Sequence, residues 1–264
     1  MLKKLARALP SPYALLSFDR AMALSKRLMK SQGFGAGSSS RTSGESGVFR
    51  LIAPVGGAAP VLFDVGGHKG DYTHAFLQAH PNGRAIVFEP SAAHFALLRD
   101  RLQQTANVTL HQCALGAERA ELPLYKNADV TGLASLTQRR LDHIGIAMDK
   151  VEIVKVATLD AIAASLAIDR IDLLKIDVEG HEMDVLRGAA RMFAERRIGC
   201  VQFEFGGCNL DTRTTLQDFY YFFKGVGFAI AVVQPSGRVQ PLGVYDEFYE
   251  HYRTTNFVAQ PISA

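Results

Sequence analysis

Ionisable residues crowd into one short stretch of this chain, Lys175-Ile176-Asp177-Val178-Glu179-Gly180-His181-Glu182. The stretch closes an apolar, strand-like run, Ile171–Ile176, and opens a helical pattern, so its charges fall in a strand-to-helix turn. Charges gathered at the end of a buried strand are costly unless they pair or bind something. Lys175 is the most unusual, because it lies within the strand. Asp177, Glu179 and His181 fall where their side chains can converge on one pocket. Ion pairing and helix capping by Glu179 and Glu182 are the plainer roles for the same residues.

Two further places carry chemistry. Asp64-Val65-Gly66-Gly67-His68-Lys69-Gly70 joins the first apolar strand to a helix. Glycines there let the backbone approach a ligand and adopt positive φ. A dinucleotide fingerprint would need G-x-G-x-x-G, and its first glycine would fall on Val65, so that pattern fails. Asp64, ahead of the glycines, can orient the ammonium of an amino-acid moiety, directly or through water. Glu89, in Val87-Phe88-Glu89-Pro90, closes the second strand. Its two carboxylate oxygens can accept both hydroxyls of a ribose. That role serves NAD as well as other adenosine cofactors, and a helix-initiating carboxylate is the plainer alternative.

The elements that must position these residues follow from the pattern. Apolar runs predict strands at 61–65, 84–88, 107–112, 120–125, 151–156, 171–176 and 198–205. Helical spacing predicts helices at 70–79, 91–104, 158–166, 181–194 and 212–224, with late strands near 228–233 and 254–259. Continuous apolar strands alternating with helices imply a doubly wound α/β fold: a mostly parallel sheet with helices on both faces, Rossmann-like. The ligand site of such a sheet lies outside the carboxyl ends of its strands, where all three stretches fall.

The 264 residues are 48% hydrophobic and 21% charged, an ordinary globular composition. The formal charge of +3 is uneven. Residues 1–30 hold seven Lys or Arg against Asp19, about +6, which leaves about −3 for the rest. No basic cluster lies on the main domain, so nucleic acid is not expected as a partner. Three cysteines without paired spacing fit a reducing, cytoplasmic setting and no disulfide framework. No apolar stretch reaches the roughly 18 residues of a spanning helix. Residues 1–31 read as one or two basic amphipathic helices, with Leu2, Leu5, Ala6, Leu9, Leu24 and Leu28 at helical spacing. They suit a helical cap on the domain, and weak membrane-surface contact is the second reading. The Gly/Ser-rich stretch 33–47 predicts a flexible linker or lid. Residues 1–47 are therefore expected to form an extension and 48–264 the main domain, protease-sensitive at their junction.

The chain resembles the FkbM-type family of class I S-adenosylmethionine (SAM)-dependent methyltransferases. The resemblance rests on FDVGGHKGDYT (63–73), VFEP (87–90), CALG (113–116), SL (135–136), VATLD (156–160), IDLLKIDVEGHEMDVLRGA (171–189) and QFEF (202–205). It covers roughly residues 61–206. Gly67-His68 departs from the Ala-Asn more usual in relatives. The resemblance implies that Asp64, Gly66 and Gly70 hold the amino-acid end of SAM and Glu89 its ribose. Cys113 and Ala114 then line the adenine, and Asp177 sits beside the methionine portion, facing the acceptor. It also implies O-methylation of a sugar, glycan or small natural-product hydroxyl, for which His181, Asp177 and Glu204 are the candidate bases. No complete metal-ligand set is evident, although Asp177 and Glu204 are carboxylates of the kind Mg²⁺ takes. An NAD-dependent oxidoreductase and a non-catalytic SAM-binding scaffold are the alternatives.

Overall fold

Val61–Val65 (β1) and Arg84–Phe88 (β2) are apolar on both faces because both faces are covered. The computed structural model describes residues 17–37, 42–52 and 59–262. Phe63, Val65, Ile86 and Phe88 enter one core cluster; Leu62, Ala85 and Val87 enter the cluster on the opposite face. The parallel part of the sheet is completed by Val108–His111 (β3), Leu173–Ile176 (β7) and Val201–Phe205 (β8). The full order is β10-β9-β11-β8-β7-β1-β2-β3. Phe228–Val233 (β9), Val239–Pro241 (β10) and Thr255–Pro261 (β11) form its antiparallel edge. Ala114–Leu115 (β4), Ala120–Lys126 (β5) and Lys150–Ala157 (β6) form a separate three-stranded sheet. The fold is thus the mostly parallel, doubly wound α/β arrangement, with its switch point between β1 and β7.

The helices are Phe18–Ser31 (α1), Asp71–Ala79 (α2), Ala92–Leu102 (α3), Leu159–Ser165 (α4), Glu182–Arg187 (α5), Ala190–Ala194 (α6), Cys208–Thr212 (α7) and Leu216–Gly225 (α8). The single helix expected over 181–194 breaks at Gly188, where any Cβ would lie 2.1 Å from the Gly116 carbonyl oxygen. The helix expected at 212–224 instead begins at Leu216, behind a Thr215–Asp218 capping box. Arg213, at φ 57°, separates it from α7.

A polar row crosses the sheet on the face toward α2. Asp64 of β1 registers with Lys175 of β7, and Lys175 with Gln202 of β8. Tyr72 of α2 covers the row, donating its hydroxyl to Gln202 Oε1 at 2.6 Å. This row lies just under the carboxyl edge of the strands.

Much of the stretch expected to be a flexible linker is packed where it is described, with Gly33, Phe34, Ala36, Ser43 and Gly47 buried. Phe34 stacks on Tyr249 at 5.9 Å between centroids and is buried. Residues Glu45–Leu51 form a 3-10 helix whose Val48 and Phe49 enter the core beside Tyr72 and Phe76. The glycines serve close approach rather than freedom: a Cβ on Gly44 would lie 2.1 Å from the Gln234 carbonyl oxygen, and one on Gly47 2.2 Å from that of Gly237. The boundary expected at residue 48 therefore falls inside a packed element. Of the basic N-terminal segment, α1 is described and has no buried residue; the expected helical spacing at Leu2–Leu9 lies outside the described residues. No described helix is long and apolar enough to cross a membrane.

Phe49 is 5% exposed and meets the Tyr72 ring edge-on at 5.1 Å. Phe49→Ala should lower the unfolding free energy by about 3 kcal/mol in urea titrations. A loss under about 1 kcal/mol would show that the segment before β1 does not belong to the core.

Candidate active site

The β1-to-α2 turn is closed by its neighbours. Gly66 and Gly67 donate their N–H groups to the Phe88 carbonyl at 3.0 and 2.9 Å. Gly66 has φ 86°, and a Cβ there would lie 1.9 Å from the Asp177 carbonyl oxygen, so no other residue fits. His68 follows at φ 48° and donates its N–H to Glu89 Oε2 at 2.9 Å, while Ser91 N–H reaches Oε1 at 2.9 Å. Each oxygen of Glu89 keeps acceptor capacity. Burial pushes its pKa up to about 7 despite those two backbone donors.

The turn opens onto a cavity of about 890 Å³, within the usual size of a small-molecule site. Gly66, Glu89, Cys113, Ala114, Asp177, His181 and Glu204 all line it. Asp64 and Gly70 do not, so of the two modes expected for Asp64, directly or through water, direct contact does not fit its position. Asp64 is fully buried beneath the turn, accepting from Thr73 Oγ1 at 2.6 Å and lying 3.4 Å from Lys175 Nζ. Gly70 is the N-cap of α2 and packs on Leu98 and Leu102 of α3. Cys113 and Ala114 stand with Phe88, Leu115 and Leu124 in an apolar wall. Burial pushes the Cys113 thiol up to about 11, so it is no nucleophile at neutral pH.

The charged residues of 175–182 separate into supports and cavity walls. Lys175 Nζ lies 3.4 Å from Asp64, 3.4 Å from Asp177 and 3.2 Å from the Gly66 carbonyl oxygen it bonds. Burial alone would lower its pKa, but the carboxylates of Asp177, Asp64 and Glu45 more than offset this and raise it. Glu182 is fully buried and accepts from the N–H groups of Val178 and Gly180 and from Asn209 Nδ2. It therefore fixes the turn. Asp177, Glu179 and His181 face the cavity.

His181 precedes α5, and its Nδ1 lies 3.0 Å from Asp184 Oδ2, one helical turn on. A carboxylate only accepts, so Nδ1 carries a proton towards Asp184, and in that tautomer Nε2 is the ring's acceptor. Nε2 meets the Thr137 hydroxyl at 2.9 Å. Thr137 belongs to a strap from the β5–β6 connection. Within that strap, Ser135 Oγ donates to the Glu179 carbonyl at 2.7 Å, and Arg139 pairs with the Glu179 carboxylate.

Burial and the neighbouring Asp177 carboxylate push Glu179 up to about 8, and burial with Asp177, Glu179 and Glu182 raises Glu204 well above an ordinary carboxyl. Asp177, Glu179 and Glu204 each bring an oxygen within 4.8 Å of the other two, a grouping suited to a divalent cation that sequence spacing did not reveal. Lys175 and Arg139 already supply positive charge to two of the three.

Comparison with known proteins then fixes the lineage of this site. Residues 64–229 match the model of the methyltransferase FkbM domain. The chain belongs to the FkbM methyltransferase family. Methyltransferase 1 of Beauveria bassiana is 31% identical over 70% of this chain and 78% of that protein. The 2-O-methyltransferase NoeI of Sinorhizobium fredii is 24% identical over 52% of this chain and 60% of that protein. The crystal structure of methyltransferase FkbM from Methylobacillus flagellatus aligns with 91% of this chain and 60% of that one, at 13% identity and a TM-score of 0.47.

Around the cavity of this FkbM methyltransferase stand residues that sequence reasoning did not single out. Asp184 is signalled only by its i,i+3 spacing from His181. Thr137 and Arg139 sit in a connection without regular pattern. Glu45 lines the cavity from the segment before β1, outside the matched span.

Burial pushes Glu45 up to about 7 against the pull of Lys175. An unfolded carboxyl ionises near its ordinary value, so this group removes stability as pH rises from about 4.5 to about 7. In ligand-free protein, Glu45→Gln should therefore gain stability over wild type between pH 4.5 and pH 7.5, by about 2 kcal/mol. Urea unfolding across that range reads the difference; a difference that does not change with pH contradicts it.

Proposed function

We propose that this protein transfers the methyl group of SAM to a hydroxyl of a sugar, glycan or small natural product. The observation that carries the reading is the cavity at the switch point, lined by Glu89, by Cys113 and Ala114, and by His181, whose Nδ1 is held by Asp184. The fit of the cofactor rests on the donor set. Glu89 has acceptor capacity for two ribose hydroxyls, the apolar wall suits an adenine, and a carboxylate-rich end suits a cationic ligand. The name of the relative NoeI, a 2-O-methyltransferase, supports an oxygen acceptor. Family membership favours this reading over a nicotinamide oxidoreductase.

SAM supplies, when bound, a methyl group on a positively charged sulfur that a nucleophile displaces in line. The protein must hold the acceptor hydroxyl beside that methyl and take its proton as attack proceeds. His181 is the base best prepared for this. Asp184 holds Nδ1–H and stabilises the imidazolium that forms, so the proton is taken at Nε2, where an acceptor hydroxyl must replace that of Thr137. Thr137 marks the position an acceptor hydroxyl takes against Nε2. Glu179 is committed to its ion pair with Arg139, and Glu204 lies buried near Asp177, Glu179 and Glu182, which with burial raise its pKa. Asp177, beside Lys175, contributes negative charge and positioning.

Calorimetry should give micromolar-range affinity for SAM or S-adenosylhomocysteine and far weaker affinity for NAD. Glu89→Ala should cost about 1.5–3 kcal/mol of that affinity. Once an acceptor is found by screening hydroxyl compounds with labelled SAM, His181→Ala should slow the chemical step about 100-fold or more, with SAM binding kept within a few-fold. NAD binding without SAM binding overturns the cofactor; full turnover by His181→Ala overturns the base.

A further inference from the structure

Glu45 has no place in the roles given so far, yet its setting is built. It opens the 3-10 helix Glu45–Leu51, anchored by buried Val48 and Phe49. Buried Ser43 precedes it, and Gly44 and Gly47 hold the backbone against residues 234–237 at distances no side chain would permit. Its carboxylate lines the cavity together with Gly66, Tyr72, Lys175 and Asp177. Among the described residues its side chain makes no hydrogen bond or ion pair. Lys175, the cation nearest in influence, is committed elsewhere: to Asp64, to Asp177 and to the Gly66 carbonyl. A carboxylate fixed in a cavity wall, short of a cation and held up to about 7 by burial, is prepared for a cationic ligand group.

We propose that Glu45 receives the α-ammonium of the methionyl part of SAM. The inference rests on SAM as the cofactor and extends it: the amino-acid end is recognised by the segment before β1, outside the FkbM domain match. Position supports that end of the ligand. Glu89 marks the ribose. From it the wall runs through His68 and Gly66 to Lys175 and Asp177, and Glu45 stands beside this last group. An ammonium has three donors and no acceptor, so it needs carboxylate or carbonyl oxygens, and Glu45 offers the uncommitted pair. Asp64, expected to orient this ammonium directly or through water, lies fully buried under the turn; Glu45, on the cavity lining, takes the direct contact.

The test compares two ligands on wild type and Glu45→Gln by calorimetry. S-adenosylhomocysteine carries the ammonium; 5′-methylthioadenosine has the same adenosine and a sulfur but no amino acid. Glu45→Gln should weaken S-adenosylhomocysteine about 10- to 100-fold and leave 5′-methylthioadenosine within about 2-fold. Unchanged S-adenosylhomocysteine affinity overturns the proposal and points Glu45 toward the acceptor. Equal weakening of both ligands also overturns it, because Glu45 then only shapes the cavity. Wild-type protein that binds neither ligand overturns the SAM reading itself. Thermal melting checks that Glu45→Gln is folded; if it is not, Glu45→Asp, which keeps the charge but withdraws it by one methylene, carries the same comparison.

Discussion

One buried ammonium organises the carboxyl edge of this sheet. Lys175 is 8% exposed at its side chain, and such a charge is tolerated only when paired and hydrogen-bonded. Its partners are Asp64 on the neighbouring strand, Asp177 in the turn after its own strand and the carbonyl of Gly66. The clamp therefore joins the ends of β1 and β7 on either side of the switch point. It fixes the glycine turn to one conformation, because Gly66 is pressed against the Asp177 backbone and leaves no room for a side chain. Removing the ammonium would strand Asp64, fully buried, with a negative charge and only the Thr73 hydroxyl to serve it.

The same clamp explains how a site so rich in carboxyl groups can hold distinct roles. Burial keeps Glu45, Glu89, Glu179 and Glu204 closer to protonation than exposed carboxyls. Lys175 pairs with Asp177, and Arg139 with Glu179. His181 stands apart because its partners sit on its own helix and on the strap, Asp184 on one ring nitrogen and Thr137 on the other. The surroundings of these ionisable groups thus differ by which element supplies the neighbour.

Much of this was readable from the residues. β1 and β2 occupy the spans their apolar runs indicated, since strands covered on both faces leave a continuous signal. Two- and three-residue strands such as β4 and β10 are too short to show a period. The helix breaks at Gly188, whose close approach to the Gly116 carbonyl leaves no room for a side chain and is not visible in the helical spacing of 181–194. Asp64 shows the limit of a motif: its position in the chain is right for a ligand turn, but Lys175 claims its side chain. Glu45 shows the converse. Composition marked residues 33–47 as flexible, whereas their glycines permit backbone to pass against backbone, and that contact aims Glu45 into the cavity. Glycine content alone does not distinguish freedom from close approach.

In the function proposed, the Lys175 clamp at the β1–β7 switch point frames a cofactor cavity lined by both Glu89 and His181. A crystal structure with S-adenosylhomocysteine bound tests this. The ribose hydroxyls should lie within hydrogen-bonding distance of the Glu89 carboxylate, about 2.5–3.0 Å. The adenine should lie against Cys113 and Ala114, and the sulfur near Asp177 and His181. Ligand density elsewhere on the molecule, or a ribose turned away from Glu89, would contradict it.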